Sequence, residues 1–163
     1  MSSKKHTKQS FPPPVEAQPV SVKGLIFNPA GQVLVLFKGR GKKRRPDLPG
    51  GSPEGHEEFW DTFGRECREE TGLDPSIEDY RYLCGKEWIS RSSQKWRQAL
   101  SRLLICVELP DVEKPVTLSS EHSGVEWHSP AELPALFAGT HWHNLIRLAV
   151  GHVTANSSGS LVA

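Results

Sequence analysis

Cysteine is scarce in this chain, neither sign of charge prevails, and no long apolar run occurs. The three cysteines, at positions 67, 84 and 106, are odd in number and show no metal-ligand spacing. That argues against a disulfide framework or a cysteine-built zinc site, and makes a reducing cytoplasm the simplest setting. A formal net charge of +1 argues against a general binder of nucleic acid or of membrane surfaces. No segment approaches the ~18–20 consecutive apolar residues of a membrane span. The amino terminus has no apolar signal core, which points away from export. Internal repeats are absent as well. What remains, at 163 residues, is one domain large enough for a real core.

Punctuation along the chain divides it into three parts. Residues 1–18 are polar and basic with Pro12-Pro13-Pro14, a composition expected of a mobile tail, and residues 154–163 are expected to be a flexible end. Between them, residues 19–153 form the expected domain. Apolar runs at 20–27 and 32–37 predict two strands, joined by Asn28-Pro29-Ala30-Gly31 as a hairpin. Further strands are predicted at 80–88, 100–109 and 125–128, and short closing helices at 130–133 and 142–150. Between the second and third strands lies an acidic helix, predicted over 57–71. Strands on both sides of a central helix, with a late helix, suggest an α/β sandwich with a mixed sheet.

Charge is balanced in total but not in place. Residues 38–45 hold six cations in eight positions, whereas residues 57–73 hold six acids against two arginines. Within the acidic segment Glu66, Glu69 and Glu70 fall at i, i+3 and i+4, which on a helix gathers them on one side roughly 100° wide. Crowded carboxylates repel and raise one another's pKa, unless a hard, oxygen-seeking cation such as Mg²⁺ makes a ligand set of them. A solvated acidic helix face is the plainer alternative. Apolar Phe59, Phe63 and Cys67, widened by Trp60, form a stripe beside the acids that would hold them at the rim of a core. Pro49-Gly50-Gly51-Ser52-Pro53 forces a sharp loop before the helix. Gly72 and Pro75 stop the helix at its far end. Arg65, four residues before Glu69, is placed to pair with it and to orient the carboxylates.

Residues 51–73 fit the pattern G-x5-E-x7-R-E-U-x-E-E-x-G-U, with U a bulky apolar residue, through Gly51, Glu57, Arg65, Glu66, Glu69, Glu70, Gly72 and Leu73. Cys67 is an atypical U. The segment closely resembles the Nudix box, the signature of Nudix hydrolases. That resemblance extends roughly over residues 20–150, with its specific part at 47–73, and implies an α/β/α sandwich with a mixed sheet. It further implies that Arg65 and Glu57 hold loop and helix together, and that Gly50 or Gly51 lends a backbone carbonyl to the metal.

A cation held by glutamates with open positions can bind diphosphate oxygens and acidify a bound water. The implied reaction is attack of water on one phosphorus of a P–O–P linkage, with Mg²⁺, or Mn²⁺ in its place, as cofactor. A carboxylate must take the proton of that water. Position in the box favours Glu66 as base, with Glu69 and Glu70 as main ligands, although Glu66 can instead coordinate metal. Glu121, in the segment 120–127, is the other candidate base, and its plainer reading is a surface glutamate before a strand.

Candidate substrate contacts lie on two basic stretches. Lys38 and Arg40 open the 38–45 run, which leads directly into the 46–51 loop. The run reads equally as a solvated hairpin or a chance nuclear-localisation pattern. Arg91, with Trp96 between Lys95 and Arg97, could clamp a phosphate and stack a base, or form a plain exposed loop. Hydrolysis of a nucleoside diphosphate linked to another group, nucleoside triphosphates included, is the leading reading. Trimming of RNA 5′ ends has only the basic run in support, and a non-catalytic binding module would have no use for three crowded acids. A nucleotide is thus the expected partner, with monomer and homodimer both compatible. Neither proline nor tyrosine stands about 16 residues after Leu73, so the family's usual substrate hints are missing.

Overall fold

Six of the eight residues of strand β1, Val20–Phe27, are buried whichever face they point to. A strand buried on both sides needs a cover on each. The computed structural model, which describes residues 20–89, 100–110 and 115–158, supplies both. Strands β1, β2 (Val33–Lys38), β3 (Arg45–Asp47), β4 (Tyr80–Ile89), β5 (Leu100–Glu108) and β6 (Gly124–His128) form one six-stranded sheet. Its order is β3-β2-β1-β5-β4, with β6 paired to β2. β1 and β5 run parallel while the other pairs are antiparallel, so the sheet is mixed.

Alternation along the strands divides the core into two layers. Val22 and Ile26 of β1, with Ile105 and Val107 of β5, pack against Phe63 and Cys67 of helix α1 (Phe59–Thr71). Leu25, Phe27, Leu104 and Cys106 point the other way, onto Ile146, Ala149 and Val150 of helix α3 (His143–Ser158) and onto Leu133 of the short helix α2 (Leu133–Leu136). The result is the expected α/β/α sandwich. All three cysteines are free and buried, and burial pushes the Cys67 and Cys84 thiols up to about 12. No helix among the described residues is long and apolar enough to cross a membrane.

Several local expectations shift at their ends. The hairpin forms, with Gly31 at φ 72° donating to the Asn28 carbonyl at 2.9 Å. α1 begins at Phe59 rather than 57, because the Glu57 carboxylate accepts from the Glu54 amide at 2.9 Å and serves the loop instead. Phe59, in the first turn, stays 39 % exposed, so the buried stripe is Phe63 and Cys67. α3 continues to Ser158, which places the boundary drawn at 153 inside a helix. β3 was not legible in the basic run: Arg45-Pro46-Asp47 pairs with Lys38, Phe37 and Leu36 at the sheet's edge, where proline's missing N–H is tolerated. Residues 1–18 and 159–163, and the stretch holding Arg91, Lys95, Trp96 and Arg97, lie outside the described residues.

One consequence of strand order positions the site. Val33 pairs with both Phe27 and His128, and Leu36 with both Asp47 and Val125. A residue has two edges, so β1 and β3 share one edge of β2 in succession, and β6 takes the other. Past Asp47 the chain crosses onto β1, where the Gly24 amide donates to the Pro49 carbonyl at 2.9 Å and the Val22 amide to the Gly51 carbonyl at 2.8 Å. The glycine loop is thereby fastened to a largely buried strand of the sheet.

Candidate active site

Helix α1 packs its Phe63/Cys67 stripe on the sheet, and this sets how deeply each of its acids is buried. The Glu70 side chain is 8 % exposed, that of Glu66 19 % and that of Glu69 60 %, in that order away from the core. The i, i+3, i+4 face is therefore graded from interior to solvent. The glycine loop closes over its inner part. A Cβ on Gly51 would collide with the Glu66 carboxylate, and one on Gly50 with the β1 backbone at Val22 and Lys23. Gly50 also has φ 124°, a conformation that a side chain would strain. Its amide donates to Glu70 Oε2 at 2.9 Å.

Arg65 joins loop and helix as expected. Its guanidinium makes a two-pronged contact with Glu57, Nε to Oε1 at 2.8 Å and Nη2 to Oε2 at 3.1 Å, and also donates to the Ser52 carbonyl at 3.1 Å. The free edge, Nη1, reaches Glu66 Oε1 at 3.1 Å and Glu69 Oε2 at 3.4 Å. One arginine thus spans the loop, the glutamate before the helix and two of the three clustered acids. The Arg65 hydrogen bonds, aided by the Glu54 amide, hold the Glu57 carboxyl down at about 2.

At the far end of α1 the environment reverses. Burial pushes the Glu70 carboxyl up to about 7, against the partial relief given by Lys23 and the Gly50 amide. Lys23, 7 % exposed, interrupts the apolar β1 and pairs with Asp47 Oδ1 at 3.1 Å, while Lys38 takes Asp47 Oδ2 at 3.1 Å. Burial works against ionisation of both Asp47 and Lys38. Mutual attraction prevails, so that Asp47, flanked by Lys23 and Lys38, is held below the ordinary carboxylate value and Lys38 above the ordinary ammonium value. His122 completes the cluster, its buried Nε2 lying 3.5 Å from Glu70 Oε1.

The segment holding Glu121 is fixed beside this end of the helix by backbone bonds. The Thr117 amide donates to the Thr71 carbonyl at 2.8 Å, and the Ser119 amide to the Glu70 carbonyl at 3.1 Å. On its other side the Ser123 amide donates to the Phe37 carbonyl at 2.6 Å. Glu121 itself is exposed, and its charge acts on Lys38 together with that of Glu70. The structure therefore brings together Glu66, Glu69, Glu70, Gly50, Arg65 and Glu57, and sets Lys38 and Glu121 at the same end. Arg40 is exposed ahead of the short 3-10 turn Gly41–Lys43. Arg44 lies over the Phe37 ring at 3.6 Å and pairs with Glu126. Reasoning from sequence missed Lys23, Asp47 and His122. A lone lysine inside an otherwise apolar strand was the available signal, since a buried ammonium needs a partner.

The donor set suits a hard divalent cation, being three carboxylates and the peptide oxygens of an adjoining loop. Glu70 supplies the observation that tests this fit. Its carboxyl is withdrawn from solvent without full compensation, so a nearby cation would stabilise its ionised form. Among the described residues no three His, Cys, Asp or Glu side chains converge as a ready metal cage. Glu66 and Glu69 are instead drawn to Arg65, with which a cation would have to share their carboxylates.

Comparison with known proteins agrees with this geometry. The family model described as the NUDIX domain matches residues 17–148. Similar solved structures include a MutT protein from Methanosarcina mazei Go1, at 21 % identity and TM-score 0.65, covering 88 % of this chain and 98 % of that one. A C. elegans Ap4A hydrolase is similar at 18 % identity and TM-score 0.64, with 84 % and 98 % covered. The E. coli dihydroneopterin triphosphate pyrophosphohydrolase is similar at 22 % identity and TM-score 0.62, with 84 % and 95 % covered. At such identities the likeness shows the fold and does not select a substrate. None of the curated proteins compared with the chain matches it. The family model spans most of the sequence and the box is assembled on α1 against its glycine loop: the chain belongs to the Nudix family, hydrolases that act on phosphoanhydride bonds.

Proposed function

We propose that this chain is a Mg²⁺-dependent hydrolase, with Mn²⁺ as a substitute, cleaving the pyrophosphate linkage of a nucleoside diphosphate joined to another group, nucleoside triphosphates included. The observation in support is the grading of Glu66, Glu69 and Glu70 along one helix face beneath a glycine loop, with Arg65 bridging two of them. Glu69 and Glu70, with a carbonyl of the Gly50 loop, would hold the cation. When bound, it would bind diphosphate oxygens and lower the pKa of a water.

The remaining roles belong to the chain's own groups. Glu66, pinned between Gly51 and Arg65, is the favoured acceptor of the water proton, and Glu121 is the alternative. Arg65 and Glu57 keep the acids in place. Lys38, with Arg40 beyond it, faces the same end of α1 and would neutralise charge on the substrate's phosphates. The basic run lends less to an RNA 5′-end substrate than its composition suggests, because Arg44 is already engaged by Glu126. A nucleotide panel with detection of released phosphate, run with Mg²⁺ and again under excess chelator, tests the reading. At least one nucleotide should be cleaved only with metal, and turnover undiminished by chelation would overturn the mechanism.

A further inference from the structure

His122 stands apart from the rest of the site because no box position calls for it and its imidazole is wholly enclosed. Its side chain is 0 % exposed, and Nε2 has no hydrogen-bond partner among the described residues. Buried polar atoms are nearly always paired, so an unpaired one calls for an explanation. Nδ1 lies 3.1 Å from the Ser119 hydroxyl, and Nε2 faces Glu70 Oε1 at 3.5 Å, longer than an ordinary hydrogen bond. The second oxygen of Glu70, Oε2, is held by the Gly50 amide at 2.9 Å.

We propose that His122 is a positioning residue for the hydrolytic site: it reaches Glu70 Oε1 with Nε2–H as the Gly50 amide holds Oε2, and so couples the Glu121 segment to the metal-binding face. Two acceptors facing each other would repel, so the proton belongs on Nε2 and Nδ1 accepts from the Ser119 hydroxyl. A slight turn of the Glu70 carboxylate closes the 3.5 Å contact into a hydrogen bond. The backbone makes this reach dependable: the His122 amide donates to the Ser119 carbonyl at 3.2 Å, and the Ser119 amide to the Glu70 carbonyl at 3.1 Å. Ser119, His122 and Glu70 thus close a small ring of main-chain and side-chain contacts, with Glu121 at its outer edge. Outer groups of this kind orient a metal ligand, and their loss typically weakens metal affinity ~10–100-fold.

This inference rests on the metal-dependent reading above, and Mn²⁺ binding to the purified full chain, followed by electron paramagnetic resonance of the free ion, separates the two. His122→Leu fills the space without a donor. It should weaken Mn²⁺ binding ~10-fold or more while leaving the melting temperature without metal unchanged or raised. His122→Gln, whose amide can donate from a similar position, should restore affinity to within a few-fold of the parent. Should His122→Leu not fold, Ser119→Ala removes only the hydroxyl that sets the tautomer, and it should weaken binding several-fold. In the parent protein, long-range ¹⁵N–¹H spectra of the imidazole should place the proton on Nε2. A parent chain that binds no Mn²⁺ overturns the metal reading and this inference with it. Parental affinity in a folded His122→Leu, or a ring proton on Nδ1, overturns this inference alone.

Discussion

At the amino-terminal end of α1, Glu57 is half-buried in the two-pronged grip of Arg65, and its carboxyl is held down at about 2. At the carboxy-terminal end, Glu70 lies beneath the glycine loop, and burial pushes its carboxyl up to about 7. One residue type on one helix thus occupies two opposite electrostatic states. A guanidinium within hydrogen-bonding distance outweighs whatever burial Glu57 suffers, whereas Glu70 has a single backbone donor and a lysine already committed to Asp47. The first glutamate is built to stay charged and hold the scaffold. The second is charged at some cost until a cation relieves it, which is a property suited to a metal ligand.

Catalysis should break the comparison most sharply. Glu70→Gln and Glu69→Gln remove ligand charge at constant size, and each should lower kcat by about 10²-fold or more under saturating Mg²⁺. Near-parental turnover in both variants would place the metal elsewhere. Comparable in size is the choice of base, where loss of a positioned base costs about 10²–10⁴ in rate. Glu66→Gln should therefore be more damaging than Glu121→Gln, and added base at high pH should partly rescue it. Rescue of Glu121→Gln instead, with Glu66→Gln impaired mainly in metal affinity, would reverse the assignment.

The smallest effect is on stability without metal, and its sign separates the two glutamates. The Glu70 carboxyl is raised from 4.5 to about 7 in the folded state, so the native protein binds that proton more tightly than the unfolded chain. Its stabilising effect is full below the unfolded value and is lost as pH rises toward about 7, by on the order of 3 kcal/mol. Glu70→Gln should abolish that decline in denaturant titrations of the chelated protein. Glu57, lowered from 4.5 to about 2, acts in the opposite sense: its contribution is present above the unfolded value and lost as pH falls through the folded one. Glu57→Gln should leave the neutral-side decline intact and flatten the acid limb. Identical pH profiles for the two variants would remove the contrast.

Much of the scaffold was legible because it depends on neighbours in the chain. The strands at 20–27 and 80–88, the hairpin at Asn28–Gly31, the helix ending at Gly72 and the pairing of Arg65 with Glu69 follow from apolar patterning, turn chemistry and helical spacing, whereas the Arg65–Glu57 link was implied only by the resemblance to the Nudix box. Spacing also brought Phe63 and Cys67 to the core, although the first turn left Phe59 exposed.

By itself the sequence determined the box, the placement of three acids on one helix face, and a helix stop that ends the acidic stretch. These are short-range properties, set by 3.6 residues per turn and by what proline and glycine permit. Only the tertiary structure decided how the three acids differ. Burial of Glu70 depends on a loop fastened to β1 by two backbone bonds, and on a segment from 117 to 123 bonded to α1 on one side and β2 on the other. Pairing of Lys23 and Lys38 with Asp47 joins residues brought together by sheet order, as does the pairing of β6 with β2. No local pattern encodes such meetings, because charge state and burial at a point in space depend on every element that reaches it.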